Sequence, residues 1–101
     1  MDPVSVMMPE ELSVQLGARA KTLRLLAGWK RTTLAARAGV TAASLKRFEQ
    51  TGKASLALVL RVALSLGHLE EFAGLLASPP ARSLDELERR LAQPVRKRGA
   101  K

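Results

Sequence analysis

The stretch TTLAARAGVTAASLKRFEQTGK, residues 32–53, decides how the rest of the chain is read. Leu34, Ala35 and Ala38 repeat at helical spacing, Gly39-Val40-Thr41 breaks the run, and Leu45 and Phe48 resume it. Gly39 offers the positive φ that a sharp helix-to-helix turn needs. Val40 fills the angle, and Thr41 is placed to cap the helix that follows. Two helices joined by so short a turn make a helix-turn-helix, whose second helix fits the major groove of DNA.

Upstream, Pro9 with Glu10 and Glu11 opens a helix, because proline suits the first helical position and acids oppose the positive end of the helix dipole. Its expected apolar stripe is Leu12, Leu16, Ala20, Leu23 and Ala27, ending near Gly28. The quoted stretch holds helices at 32–38 and 42–50, followed by a Thr51-Gly52-Lys53 loop. Ser55 caps a helix at 56–66, and Gly67-His68 turns the chain into a short helix at 69–76. Ser78-Pro79-Pro80 ends the globular part. Ser83 and Glu86 form a capping box for a last helix bearing Leu84, Leu87 and Leu91, which Pro94 stops. The expected architecture is all-α. Residues 1–8 form a flexible lead, 9–77 a five-helix domain, 78–93 a proline-led linker with a C-terminal helix, and 94–101 a disordered basic tail.

With 101 residues there is room for one such domain and its tails. The apolar share is 47% but aromatics supply only 3%, so the core must be built from Leu, Val and Ala. No cysteine is present, which fits a reducing compartment and excludes a disulfide scaffold. A single histidine makes a zinc site or histidine-based catalysis a poor fit, and no Gly-x-Ser-x-Gly elbow or P-loop spacing occurs. Neither a catalytic activity nor a cofactor or metal is expected. The N-terminus lacks the basic lead of a secretory signal, and the apolar runs are too short to span a membrane. A soluble, cytoplasmic chain is the expectation.

The net charge is +8, and its distribution says more than its size. Residues 1–18 carry three acids and no base, whereas 19–61 carry ten Lys or Arg against one acid, Glu49. Four more bases fall in residues 94–101. A positive excess centred on a helix-turn-helix pattern points to a polyanion, and most directly to double-stranded DNA. Arg31, Lys46, Arg47 and Lys53 are the phosphate and base candidates, with Lys30 and Thr32 beside Arg31 at the start of the second helix. Trp29, next to Gly28 at a helix junction, is expected to fill core, and His68 to sit exposed or as a cap.

The pattern Leu34-Ala35, Ala38-Gly39-Val40-Thr41, Leu45, Glu49 and Gly52 resembles the Cro/C1 repressor type, or Xre family, over roughly residues 12–77. The resemblance implies that Thr41, Ala42, Ala43, Ser44 and Arg47 face bases and nearby phosphates. It also implies a structural ion pair between Arg24 and Glu49. Two departures stand out: Lys30 and Arg31 replace a Ser/Thr cap and a Gln, and Ala42 and Ala43 replace base-reading Gln. An alanine can only touch a thymine methyl, so discrimination would rest on Arg47, Lys46, Ser44 and DNA shape. More narrowly, SLKRFEQTGK, the SLDELE segment at 83–88 and the basic RKRG segment at 96–99 resemble small Xre-type antitoxins. Such proteins partner HipA-type kinase toxins and repress their shared operon. A free-standing regulator, a toxin-covering module with weak DNA binding and a non-specific nucleic-acid binder remain as alternatives.

Helix-turn-helix proteins commonly bind two half-sites as dimers. Leu58, Val62, Leu69, Phe72 and Leu75 are expected to form the homodimer face. The Leu84-Leu87-Leu91 stripe is a second candidate surface, free to fold back, join the dimer or dock on a toxin.

Overall fold

The computed structural model describes residues 7–79 and 84–92. The expectations for residues 1–6, for a Ser83 cap and for the basic tail lie outside them. Six helices follow in order: α1 (Pro9–Leu26), α2 (Arg31–Ala38), α3 (Ala42–Thr51), α4 (Leu56–Ser65), α5 (Glu70–Ala73) and α6 (Leu84–Ala92). No strand occurs among the described residues, so the architecture is all-α. Among them, too, no helix is long and apolar enough to cross a membrane.

Local chemistry explains most boundaries. Pro9 begins α1, and Glu11 reaches back to accept the Met8 N–H at 3.0 Å. Gly39 ends α2 in the left-handed region, with φ of 72°. Thr41 Oγ1 then accepts the Ser44 N–H at 3.0 Å, and Ser55 Oγ accepts the Leu58 N–H at 3.1 Å. Each cap satisfies an amide that the first helical turn leaves without a partner. Thr41→Ala is expected to cost about 1 kcal/mol, read as a lower denaturation midpoint. An unchanged midpoint would mean that water replaces the hydroxyl without loss.

The core is small and aliphatic. Leu34, Leu45 and Val62 are fully enclosed, joined by Ala20, Ala35, Ala38, Phe48 and Leu58, with Leu16, Trp29, Val40, Val59 and Leu66 packed at its edge. Helix α1 lies along α3, while α2 packs on α3 and α4. The α1–α3 crossing is unusually close. A Cβ added at Gly17 would stand 2.0 Å from the Phe48 carbonyl oxygen, and one at Gly52 would stand 2.4 Å from the Ser13 backbone. Glycine at these positions is what lets the two helices touch.

Three expectations change. Helix α5 is confined to Glu70–Ala73, because the chain leaves helical geometry at Gly74 and Leu76 takes a positive φ of 64°. The α1 stripe turns inward through Leu16, Gly17, Ala20, Leu23 and Arg24, leaving Leu12 and Ala27 exposed. Leu58 and Val62 are not available as a dimer face. Both are buried in the monomer core, where α4 meets α2, so only Leu69, Phe72 and Leu75 of that set keep exposed surface.

Candidate nucleic-acid interface

Helix α3 has two chemically distinct sides. Leu45 and Phe48 point into the core, and Glu49 is buried beside them. Ala42, Ala43, Ser44, Lys46 and Arg47 are exposed. The periodicity of one helix thus anchors it and presents a short, cationic face outward. Neither the Lys46 nor the Arg47 side chain is committed to an intramolecular bond among the described residues.

Glu49 is the hub that fixes this helix. Its carboxylate, with no exposed side-chain area, accepts Arg24 Nε at 2.7 Å and Arg24 Nη2 at 3.0 Å. It also accepts Arg31 Nε at 3.1 Å. Arg24 Nη1 donates to the Trp29 carbonyl at 3.0 Å. The expected Arg24–Glu49 pair is therefore present, and Arg31 joins it as a second cation. Both carboxylate oxygens and the buried guanidinium are satisfied, and no buried side-chain N or O among the described residues lacks a partner. An ion pair withdrawn from water is tolerated only when its hydrogen bonds are filled in this way. The cluster ties α1, α2 and α3 together at one point.

The expected site residues divide by role. Arg31 spends its Nε on Glu49 and remains 28% exposed, so its two Nη groups are still open to an outside acceptor. Lys30 stands at the N-cap of α2 with no side-chain capping bond, and it and Thr32 are exposed. Lys53 is exposed just past Gly52. Thr41 is occupied differently: its hydroxyl accepts the Ser44 N–H and donates to Ser44 Oγ at 2.8 Å. That leaves the Ser44 hydroxyl hydrogen, and not Thr41, as the donor of the pair.

Several neighbours escaped the sequence reading. Arg61, on α4, brings Nη1 within 3.2 Å of where a Gly39 Cβ would stand, which sets a cation beside the C-terminal end of α2. Arg37 lies 4.4 Å over the half-buried Trp29 ring. A cation placed there is attracted by the ring face, and the contact spans the α1–α2 junction. His68 Nδ1 sits 2.6 Å from Glu71 Oε2 at the opening of α5. The Arg61 placement had no sequence signal, because it joins elements far apart in the chain.

No family model matches this chain, and no curated protein or solved structure does either.

Proposed function

We propose that this chain is a sequence-specific transcriptional repressor of the Cro/C1 type that binds operator DNA as a homodimer, with α3 in the major groove. The observation that carries the reading is α3 itself. Its inner side is locked by Leu45, Phe48 and Glu49, while Lys46, Arg47 and the small residues 42–44 are exposed. A rigid helix with a slim, cationic outer surface suits a groove lined by phosphates and base edges. Lys30, the free edge of Arg31 and Lys53 supply further phosphate contacts.

Binding to a selected operator should fall steeply with salt. If each protomer neutralises about four or five phosphates, the dimer gives a log–log slope of roughly −7 to −9. Arg47→Ala is expected to weaken operator binding about tenfold to a hundredfold and to relax discrimination at one base position. Lys53→Ala should weaken all sequences alike and reduce the slope by about one per protomer. Anisotropy titrations at several salt concentrations, with random DNA as competitor, measure all three. A slope near zero overturns DNA binding altogether, and equal competition by random DNA reduces the role to non-specific binding.

Within this reading we favour the antitoxin of a HipA-type kinase toxin, acting in the cytoplasm of a bacterium. Its support is the resemblance at residues 83–88 and 96–99, of which residues 84–88 lie in α6. Co-expression with the product of the adjacent gene tests it. A stable complex with a kinase-like protein supports the antitoxin role, and no complex leaves a free-standing repressor.

A further inference from the structure

An open apolar groove of about 460 Å³ runs between α1, α4 and α5, and no residue of α6 lines it. Leu16 and Leu23 form one wall, Val59 and Leu66 another, with Phe48 and Phe72 completing it. The same chain carries an uncovered apolar helix. Leu84, Leu87 and Leu91 share one face of α6 and are 69%, 41% and 76% exposed. We propose that the groove receives the α6 helix of a second copy of this chain, the two chains exchanging α6 around a two-fold axis.

Charge supports the match. The groove has Arg19 on its α1 wall and Glu71 on its α5 wall. On α6 the leucine face is flanked by Glu88 on one side and Arg90 on the other. One orientation of the helix pairs Glu88 with Arg19 and leaves Arg90 on Glu86 and Pro79, while the reverse orientation sets Glu88 against Glu71, whose carboxylate already meets His68. The direction of insertion is therefore fixed, and like-charge juxtaposition opposes the alternative. Among the described residues the Arg19 side chain otherwise bonds only Gln15, four residues away on its own helix.

A second copy fits better than the chain's own helix. Arg90 Nη1 donates to the Pro79 carbonyl at 2.5 Å, and its Nη2 meets Glu86 at 3.0 Å, so α6 is tied to the chain that leads into it. In that position its leucines meet water. Exchange covers two leucine faces and two grooves together, every contact occurring twice, and swapping an identical element is a low-cost route to a dimer. The pairing rests on the groove and the helix alone; it needs no DNA.

The absence of cysteine allows a direct test. Thr22→Cys is placed in the groove of one chain and Ala92→Cys, on the Glu88 side of α6, in a second chain of different length. The two are mixed with a short thiol-to-thiol cross-linker. The expected product is a band joining the two unequal chains, with a dimeric mass in sedimentation for the unmodified protein. Leu87→Asp should abolish the cross-link and weaken self-association on the order of a hundredfold, leaving the helical signal of the domain intact. Reversing Arg19→Glu should weaken association, and combining it with Glu88→Arg should restore it. A chain bearing both cysteines that closes on itself as a monomer overturns the exchange, as does a monomer with no cross-link. Because the readout contains no DNA, either failure is separate from failure of operator binding.

Discussion

Gly17→Ala is expected to destabilise the domain by about 3 kcal/mol, the upper end of the usual cost of overpacking. The sign is what makes the result informative. In an unobstructed helix interior the same change should add about 1 kcal/mol, because alanine loses less backbone entropy than glycine. Here the new methyl would stand 2.0 Å from the Phe48 carbonyl oxygen, a backbone atom that no rotamer change can move. Helix α1 would have to withdraw from α3, disturbing the Gly52–Ser13 contact and the Arg24–Glu49 bonds along the same crossing. For a domain of this size the loss corresponds to a melting point lower by roughly 12–24 °C. Gly74→Ala, where a Cβ meets nothing within 4 Å, is the matched control and should change stability little. Thermal and urea denaturation followed by circular dichroism measure both. A Gly17→Ala protein as stable as the parent would show that the crossing is looser than described.

Glu49→Gln should be comparably damaging, at about 3–5 kcal/mol, since removing one member of a buried ion pair leaves the other charge unpaired in the interior. The amide keeps the shape of the carboxylate but turns a donor toward two guanidinium groups. Arg24, with only 6% of its side chain exposed, then keeps its charge and loses its acceptor. A domain with a typical total stability of about 5–10 kcal/mol would be brought close to unfolding. The double replacement Arg24→Met with Glu49→Leu is expected to recover much of the loss, because it removes the desolvated charges together. A double-mutant cycle in urea measures the coupling. Should Glu49→Gln fall within 1 kcal/mol of the parent, the cluster would not be what holds α3 in place.

Much of this site was legible because its signals are local. Thr41, Gly39 and Ser55 announce caps and a turn through their own backbone chemistry, and each does what that chemistry predicts. The sides of α3 follow from spacing alone. The pairing of Arg24 with Glu49 was approachable because Glu49 is the single acid in a basic stretch. Arg31 was a different matter: nothing in its neighbourhood reveals that its Nε is given to the same carboxylate. Leu58 and Val62 show the limit most clearly. Arg61 is the sole charged residue of α4, and leucines, valines and alanines occupy most of its circumference, so periodicity cannot say which apolar side faces inward. Packing against α2 decided it, burying Leu58 and Val62 and leaving Leu56 and Leu64 exposed.

By itself, then, the sequence determined an all-helical chain, the turn between α2 and α3, the caps, and a concentration of positive charge around α3. These depend on residues within a turn or two of one another, and short-range sterics and hydrogen bonding suffice to set them. Only the tertiary structure decided how closely α1 meets α3 at Gly17, that Glu49 serves two arginines, and which side of α4 is core. It also decided that an apolar groove between α1, α4 and α5 lies open, with no residue of α6 lining it. Those outcomes depend on how helices distant in sequence come to rest against each other, where packing and desolvation act between elements and leave no periodic trace within any one of them.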